Sequence, residues 1–177
     1  AGNFGADDRT LRALARLRIA WDSSFNAAYL GAPCQIDLPK LHLDPGPARG
    51  VSELPVTQIF DQPWRLRPAQ LCALSAREMR AMLGHAEARK HAVVNIVSHS
   101  FELISRDRRR PNRSVINRFE SLCALLADRR DSLPTSGFCN LGFPEIGTSA
   151  QPLPASAWRT LERMAEQALG HWRYERG

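Results

Sequence analysis

The chain has 177 residues, 44% hydrophobic and 24% charged, which suits one globular domain with its own core and leaves little room for two. No apolar run approaches the roughly 20 residues that cross a bilayer, so no membrane-spanning helix is expected, and no basic-then-apolar leader opens the chain. The net charge of +6 invites an anionic partner, but only two of the 24 basic residues are lysines, Lys40 and Lys90, and no recognisable module or aromatic platform accompanies the arginines, which argues against nucleic acid.

The chain opens on Ala1 with no initiator methionine, which leaves an earlier segment, an export signal and the protein's location open. Leucines recur every three residues from Asp7 to Leu17, behind acids at the start, which predicts a short helix. Ile19-Ala20-Trp21 predicts a strand, with Asp22-Ser23-Ser24 at its C-terminal rim. Residues 31–50 hold four prolines and three glycines, Pro33 to Gly50, and read as one long loop. Val51 to Phe60 reads as a strand interrupted by Pro55, hence an edge or bulged strand.

Ser75 and Glu78 have the spacing of a capping box, with Leu74 and Met79 as its hydrophobic staple, so a helix starts here and Gly84 is its expected stop. The run from His91 to Ser98 reads as a strand buried on both faces, as in parallel sheets covered by helices. His99 then falls at its C-terminal end, where α/β folds build active sites and where an imidazole suits proton transfer. A period of two puts Asn95, Val97 and His99 on one face.

The basic loop 106–113 follows, either a solvated loop or a contact for an anionic glycan. Asn112 caps a helix with Val115, Phe119, Leu122 and Leu126 on one face. Residues 136–141 are a candidate last strand. A final helix from Pro154 to Leu169 carries Trp158, Leu161, Ala165 and Leu169 as a packing stripe, ended by Gly170. Cys34, Cys72, Cys123 and Cys139 lack CxxC spacing, and Cys72 and Cys123 read as buried free thiols on helices. The element order is α/β and favours parallel pairing.

Several stretches together resemble the polysaccharide deacetylases, the NodB-homology group of metal-dependent carbohydrate esterases. They are Ala1-Gly2-Asn3-Phe4-Gly5 through Leu11, Trp21-Asp22-Ser23-Ser24-Phe25-Asn26, Gly50-Val51-Ser52-Glu53-Leu54-Pro55-Val56, and above all Val97-Ser98-His99-Ser100-Phe101-Glu102-Leu103. The resemblance covers residues 1 to about 145 and implies the C-terminal portion of a distorted (β/α) barrel, with residues 146–177 as a C-terminal helix and tail.

What the resemblance implies is hydrolysis of acetyl groups from amino-sugar or other acetylated polysaccharide. His99 would be the general acid that protonates the leaving group, and Val97 part of the apolar wall beside the acetyl methyl. Gly2 and Asn3 would be the tail of a substrate-side motif whose arginine would precede Ala1. Asp22 would hold that arginine, although the tryptophan that follows at two or three residues in the family is missing. The family's divalent metal, zinc foremost, is held by an Asp-Asp segment and a His-x-x-x-His pair that this chain lacks; His85 and His91 are six apart and do not replace them. The chain alone is therefore expected to be inactive and to need an N-terminal half barrel as partner. The alternative is an inactive deacetylase-like module that binds glycan.

Residue by residue, the blander readings stand beside these. Asp22 could instead cap its turn. Asn95 could orient His99 or bond a neighbouring strand, and Glu53 and Glu102 read as surface or supporting groups.

Overall fold

The computed structural model describes residues 2–141 and 150–175. Its first helix, α1 (Asp8–Arg16), starts where Asp7 accepts from the Thr10 amide at 2.8 Å while Thr10 returns a bond to the Asp7 amide. This is a capping box with threonine in the third position, and it satisfies two amides that the helix start would otherwise strand. Two residues of strand follow, β1 (Trp21–Asp22), and then a 3-10 turn at Ala27–Tyr29 capped by Asn26.

Most of 31–50 is loop, as its prolines and glycines dictate, yet β2 (Gly46–Ala48) forms inside it. It pairs antiparallel with β3 (Val51–Glu53), and β3 pairs parallel with β1, giving the order β1-β3-β2. The expected edge or bulged strand over 51–60 is corrected on this point. It divides into β3 and β4 (Gln58–Gln62), Pro55 sits between them, and β3 is the central strand of its sheet. Pro55 therefore costs no ladder bond. β4 pairs antiparallel with β5 (Arg65–Pro68), whose Leu66 and Pro68 point inward while Arg65 is exposed.

The helix α2 (Ala76–Ala88) begins on the expected box: the Glu78 amide donates to Ser75 Oγ at 3.1 Å and the Ser75 amide donates to Glu78 at 2.9 Å. Leu74 and Met79, the staple pair, are buried. Gly84 does not stop it; the helix runs four residues further and ends at Arg89, followed by Lys90 at φ 54°.

The strand expected over 91–98 is the main correction. This segment is extended but forms a single parallel bridge, Gln70 with Val97, and is partly exposed along its length. Its backbone bonds run to Thr57, Ala69 and Leu71, through Asn95 and Val97. Of the run, Val94 and Ile96 pack partly buried against the second apolar cluster while Ala92 is exposed, so an apolar run long enough for a buried strand is here a partial cover.

α3 (Arg113–Asp128) starts at Asn112 and buries Val115, Arg118, Leu122 and Leu125. The buried face is thus rotated from the expected one, and Phe119 is exposed. Residues 138–140 are a turn and not the candidate strand. α4 (Ala157–Gly170) continues past Gly170 into one wider π-type turn, His171–Glu175. Its apolar stripe faces outward, against expectation. Cys123 is exposed and Cys72 lies ahead of α2 in a turn, so neither is a buried helical thiol; Cys34 is buried.

Two apolar clusters carry the fold. One joins α1 to the three-stranded sheet through Leu11, Phe25, Ile36 and Val51. The other packs α2 and α3 on the β4–β5 hairpin through Ile59, Met79, Met82 and Leu122. The molecule is mixed α/β with small sheets and four α-helices, and no barrel closes among the described residues. The expected division at 145/146 lies outside the described residues. Leu153 bridges Ile59, so the C-terminal segment packs on the β4–β5 hairpin.

Candidate functional site

His99 ends the extended segment, and the next four residues, Ser100–Leu103, fold into one 3-10 turn. That turn brings Glu102 back beneath the ring, with Nδ1 of His99 3.0 Å from Glu102 Oε1. The His99 side chain is 40% exposed and that of Glu102 5%, so the ring presents its other edge to solvent while the carboxylate stays inside. Phe101 stacks on the imidazole at 4.9 Å between centroids.

The same carboxylate oxygen accepts from Gln70 Nε2 at 2.6 Å and from Cys72 Sγ at 3.2 Å. A buried carboxylate held by two donors fixes the ring's orientation and tautomer, which is the arrangement that proton-transfer histidines require. Burial, and then the adjacent Glu102 charge, push the Cys72 thiol up to about 12, so it serves as a neutral donor. A cavity of about 520 Å³ opens on the Cys72 and Glu102 side, lined also by Phe101, Asn112, Arg118 and Tyr174, and His99 does not line it.

A second constellation lies at the ends of β1 and β3. Asp22 accepts from the Ser24 amide at 3.0 Å and the Ser24 hydroxyl at 3.1 Å, which makes it a turn cap. Glu53, fully buried, accepts from the Phe25 amide at 2.9 Å. Burial pushes the Glu53 carboxyl up to about 8, with a hydrogen bond and repulsion from Asp22 adding to it and the Phe25 amide opposing it. Its Oε2 meets no donor, which suits a protonated carboxyl that gives its own proton to Asp22. Trp21 and Phe138, with ring centroids 6.5 Å apart, line an open cavity of about 500 Å³ above Asp22, Ser23 and Ser24.

Asn95 ties the two places together. Its Nδ2 donates to Ser23 Oγ at 2.6 Å and to the Leu54 carbonyl at 3.0 Å, four residues ahead of His99. Asn95 therefore bonds neighbouring segments and does not touch His99. Val97 holds the base of the His99 segment through the Ala69 carbonyl and the Leu71 amide, at 2.8 and 2.9 Å. No hydrogen bond, ion pair or ring contact joins Asp22 to His99. Gly2 and Asn3 form the opening 3-10 turn, where Asn3 is exposed at φ 55° and touches neither residue.

The sequence marks His99 and Asp22 as site candidates and gives Glu53 and Glu102 only bland roles. The one available signal for Glu102 was its position three residues after His99. Among the described residues no group of three or more His, Cys, Asp and Glu side chains could hold a metal ion. His85 and His91, set aside as a metal pair, meet edge to face at 5.5 Å and both bond the backbone of Gln151. Compared with known protein families, curated proteins and solved structures, the chain matches none.

Proposed function

We propose that residues 1–145 are the proton-donating part of a polysaccharide deacetylase-type (β/α) barrel that acts on acetylated amino-sugar or other acetylated polysaccharide. The His99–Glu102 pair carries this reading. With Nδ1–H engaged by Glu102, the exposed Nε2–H passes its proton to the departing nitrogen or oxygen as the bond to the acetyl carbon breaks. The sequence likeness around Val97-Ser98-His99 supports the same assignment. Val97 lies two residues from the ring, and Asp22 keeps its neighbouring turn in place through Ser24. The described side chains do not form a metal site, and no step is assigned to a metal. In this reading a divalent metal belongs to the other half of the barrel.

The test is acetate release by the full-length gene product, supplied with zinc, from N-acetylated chito-oligosaccharide and from acetylated xylan. The reading expects release from at least one, lowered about 10²- to 10⁴-fold in kcat by His99→Ala. Glycan binding that survives His99→Ala, with no acetate from either protein, would replace it with the glycan-binding alternative.

A further inference from the structure

Helix α4 is strongly two-sided, and it packs with its polar side inward. Buried Arg163 donates to Asp61, to Glu78 at 3.1 Å and to Gln167 at 3.2 Å. Thr160 donates to the Asp61 carbonyl at 2.8 Å, and Arg118 of α3 reaches Glu166 at 3.1 Å. These bonds reach β4, α2 and α3, and they fix the helix's rotation about its axis. Turning it to bury the other face would leave the buried Glu78 without its cation and Asp61 dependent on Arg67 and Arg65.

The consequence is an outward apolar stripe. Trp158, Leu161, Met164, Leu169 and Trp172 are each 55–68% exposed and recur at helical spacing. Five large apolar side chains exposed along one helix and its terminal turn mark an interaction site.

Its charged border selects the partner. At the Trp172 end the loop 106–110 is pinned to the helix terminus: the Arg106 amide donates to the Tyr174 carbonyl at 3.2 Å and Arg110 to the Arg173 carbonyl at 2.7 Å. Four arginines of that loop and Arg173 thus gather there, and the loop's one acid, Asp107, is already engaged by Ser105 and the Arg109 amide. The acids along the helix, Glu162 and Glu166, are offset by Arg77 and Arg118 at 3.0 and 3.1 Å.

We propose that this face docks on an anionic lipid bilayer. Trp158 and Trp172 seat at headgroup level, where indoles prefer to lie, with Leu161, Met164 and Leu169 between them and the arginine loop against the lipid phosphates. A second copy of the chain would bring +6 against +6, whereas an anionic surface is attracted. The helix, 14 residues and so about 21 Å long, lies along the surface and does not cross it.

The test is co-sedimentation with vesicles of phosphatidylcholine alone and of phosphatidylcholine mixed with phosphatidylglycerol, across a salt series, with tryptophan emission read in parallel. Binding should be at least about tenfold tighter to the anionic vesicles, weaken with salt and shift tryptophan emission to the blue. Leu161→Glu with Leu169→Glu should abolish it while leaving the circular dichroism and melting temperature unchanged, since both positions already face water. Absence of binding, or binding indifferent to those two substitutions, would overturn the proposal. So would a concentration-dependent dimer, seen in sedimentation velocity, that the same substitutions dissolve.

Discussion

Glu53→Gln should make the protein's stability less dependent on pH. Glu53 is fully buried, and burial together with Asp22 pushes its carboxyl from an ordinary value of 4.5 up to about 8. A carboxyl raised in the folded state stabilises fully below its unfolded value, and that stability is lost as pH climbs through the folded one. The window therefore runs from about 4.5 to about 8. Each unit within it is worth about 1.4 kcal/mol, which sums to about 5 kcal/mol lost by the native protein across the window. Glutamine keeps the acceptor for the Phe25 amide, places an N–H toward Asp22 and does not titrate. Urea unfolding of both proteins from pH 5 to 9 measures the difference, in which titrations not coupled to Glu53 cancel. The advantage of Glu53→Gln should grow by about 1.4 kcal/mol per unit up to pH 8 and then level off. A difference constant over that range would refute a protonated Glu53 beside Asp22.

Arg163→Met should cost about 3–5 kcal/mol in thermal or urea unfolding, because it leaves Glu78 without its cation and Asp61 dependent on Arg67 and Arg65 in the interior. A loss below about 1 kcal/mol would show that α4 is not held by this network. Cys72 should react with a disulfide reagent at pH 8 at least about 100-fold more slowly than exposed Cys123, read by mass mapping of the labelled peptides, since its thiol is pushed up to about 12. Comparable rates would place Cys72 in a different environment from the one that Glu102 and Gln70 create.

Local chemistry was legible at the starts of α2 and α3, whereas α4 begins at Ala157, three residues after Pro154, with no side-chain cap. Ser75 with Glu78, and Asn112 ahead of α3, announced their helices because a cap is a contact within four residues. What lay beyond local reach was lost. The run through Val97 has strand composition, but whether it meets two neighbours or one depends on chain elements distant in sequence. β5 was missed although Leu66 alternates with Arg65 and Arg67, since Pro68 and two arginines disguise a strand. α4 shows the limit of periodicity most clearly. Its apolar spacing was read correctly, but Arg163, drawn inward by Asp61 and Glu78, turned that stripe toward solvent.

At the site, His99 was visible as a titratable residue after an apolar run, and its role rested on likeness to a family motif. Glu102 was not visible as its partner, because the 3-10 turn that folds it beneath the ring places a charged residue inside and Phe101 outside, the reverse of hydropathy. Glu53 was hidden for a related reason. Its burial comes from the central position of β3, which no local pattern reveals.

If His99 delivers a proton to the leaving group, its removal must cost most where the leaving group cannot depart without that proton. The zinc-supplied full-length protein and its His99→Ala variant would be compared on N-acetylated chito-oligosaccharide, whose amine must be protonated to depart, and on 4-nitrophenyl acetate, whose phenolate departs unaided. His99→Ala should lose about 10²- to 10⁴-fold on the amide and less than about tenfold on the aryl ester. Equal losses on both substrates, or no loss on the amide, would contradict it.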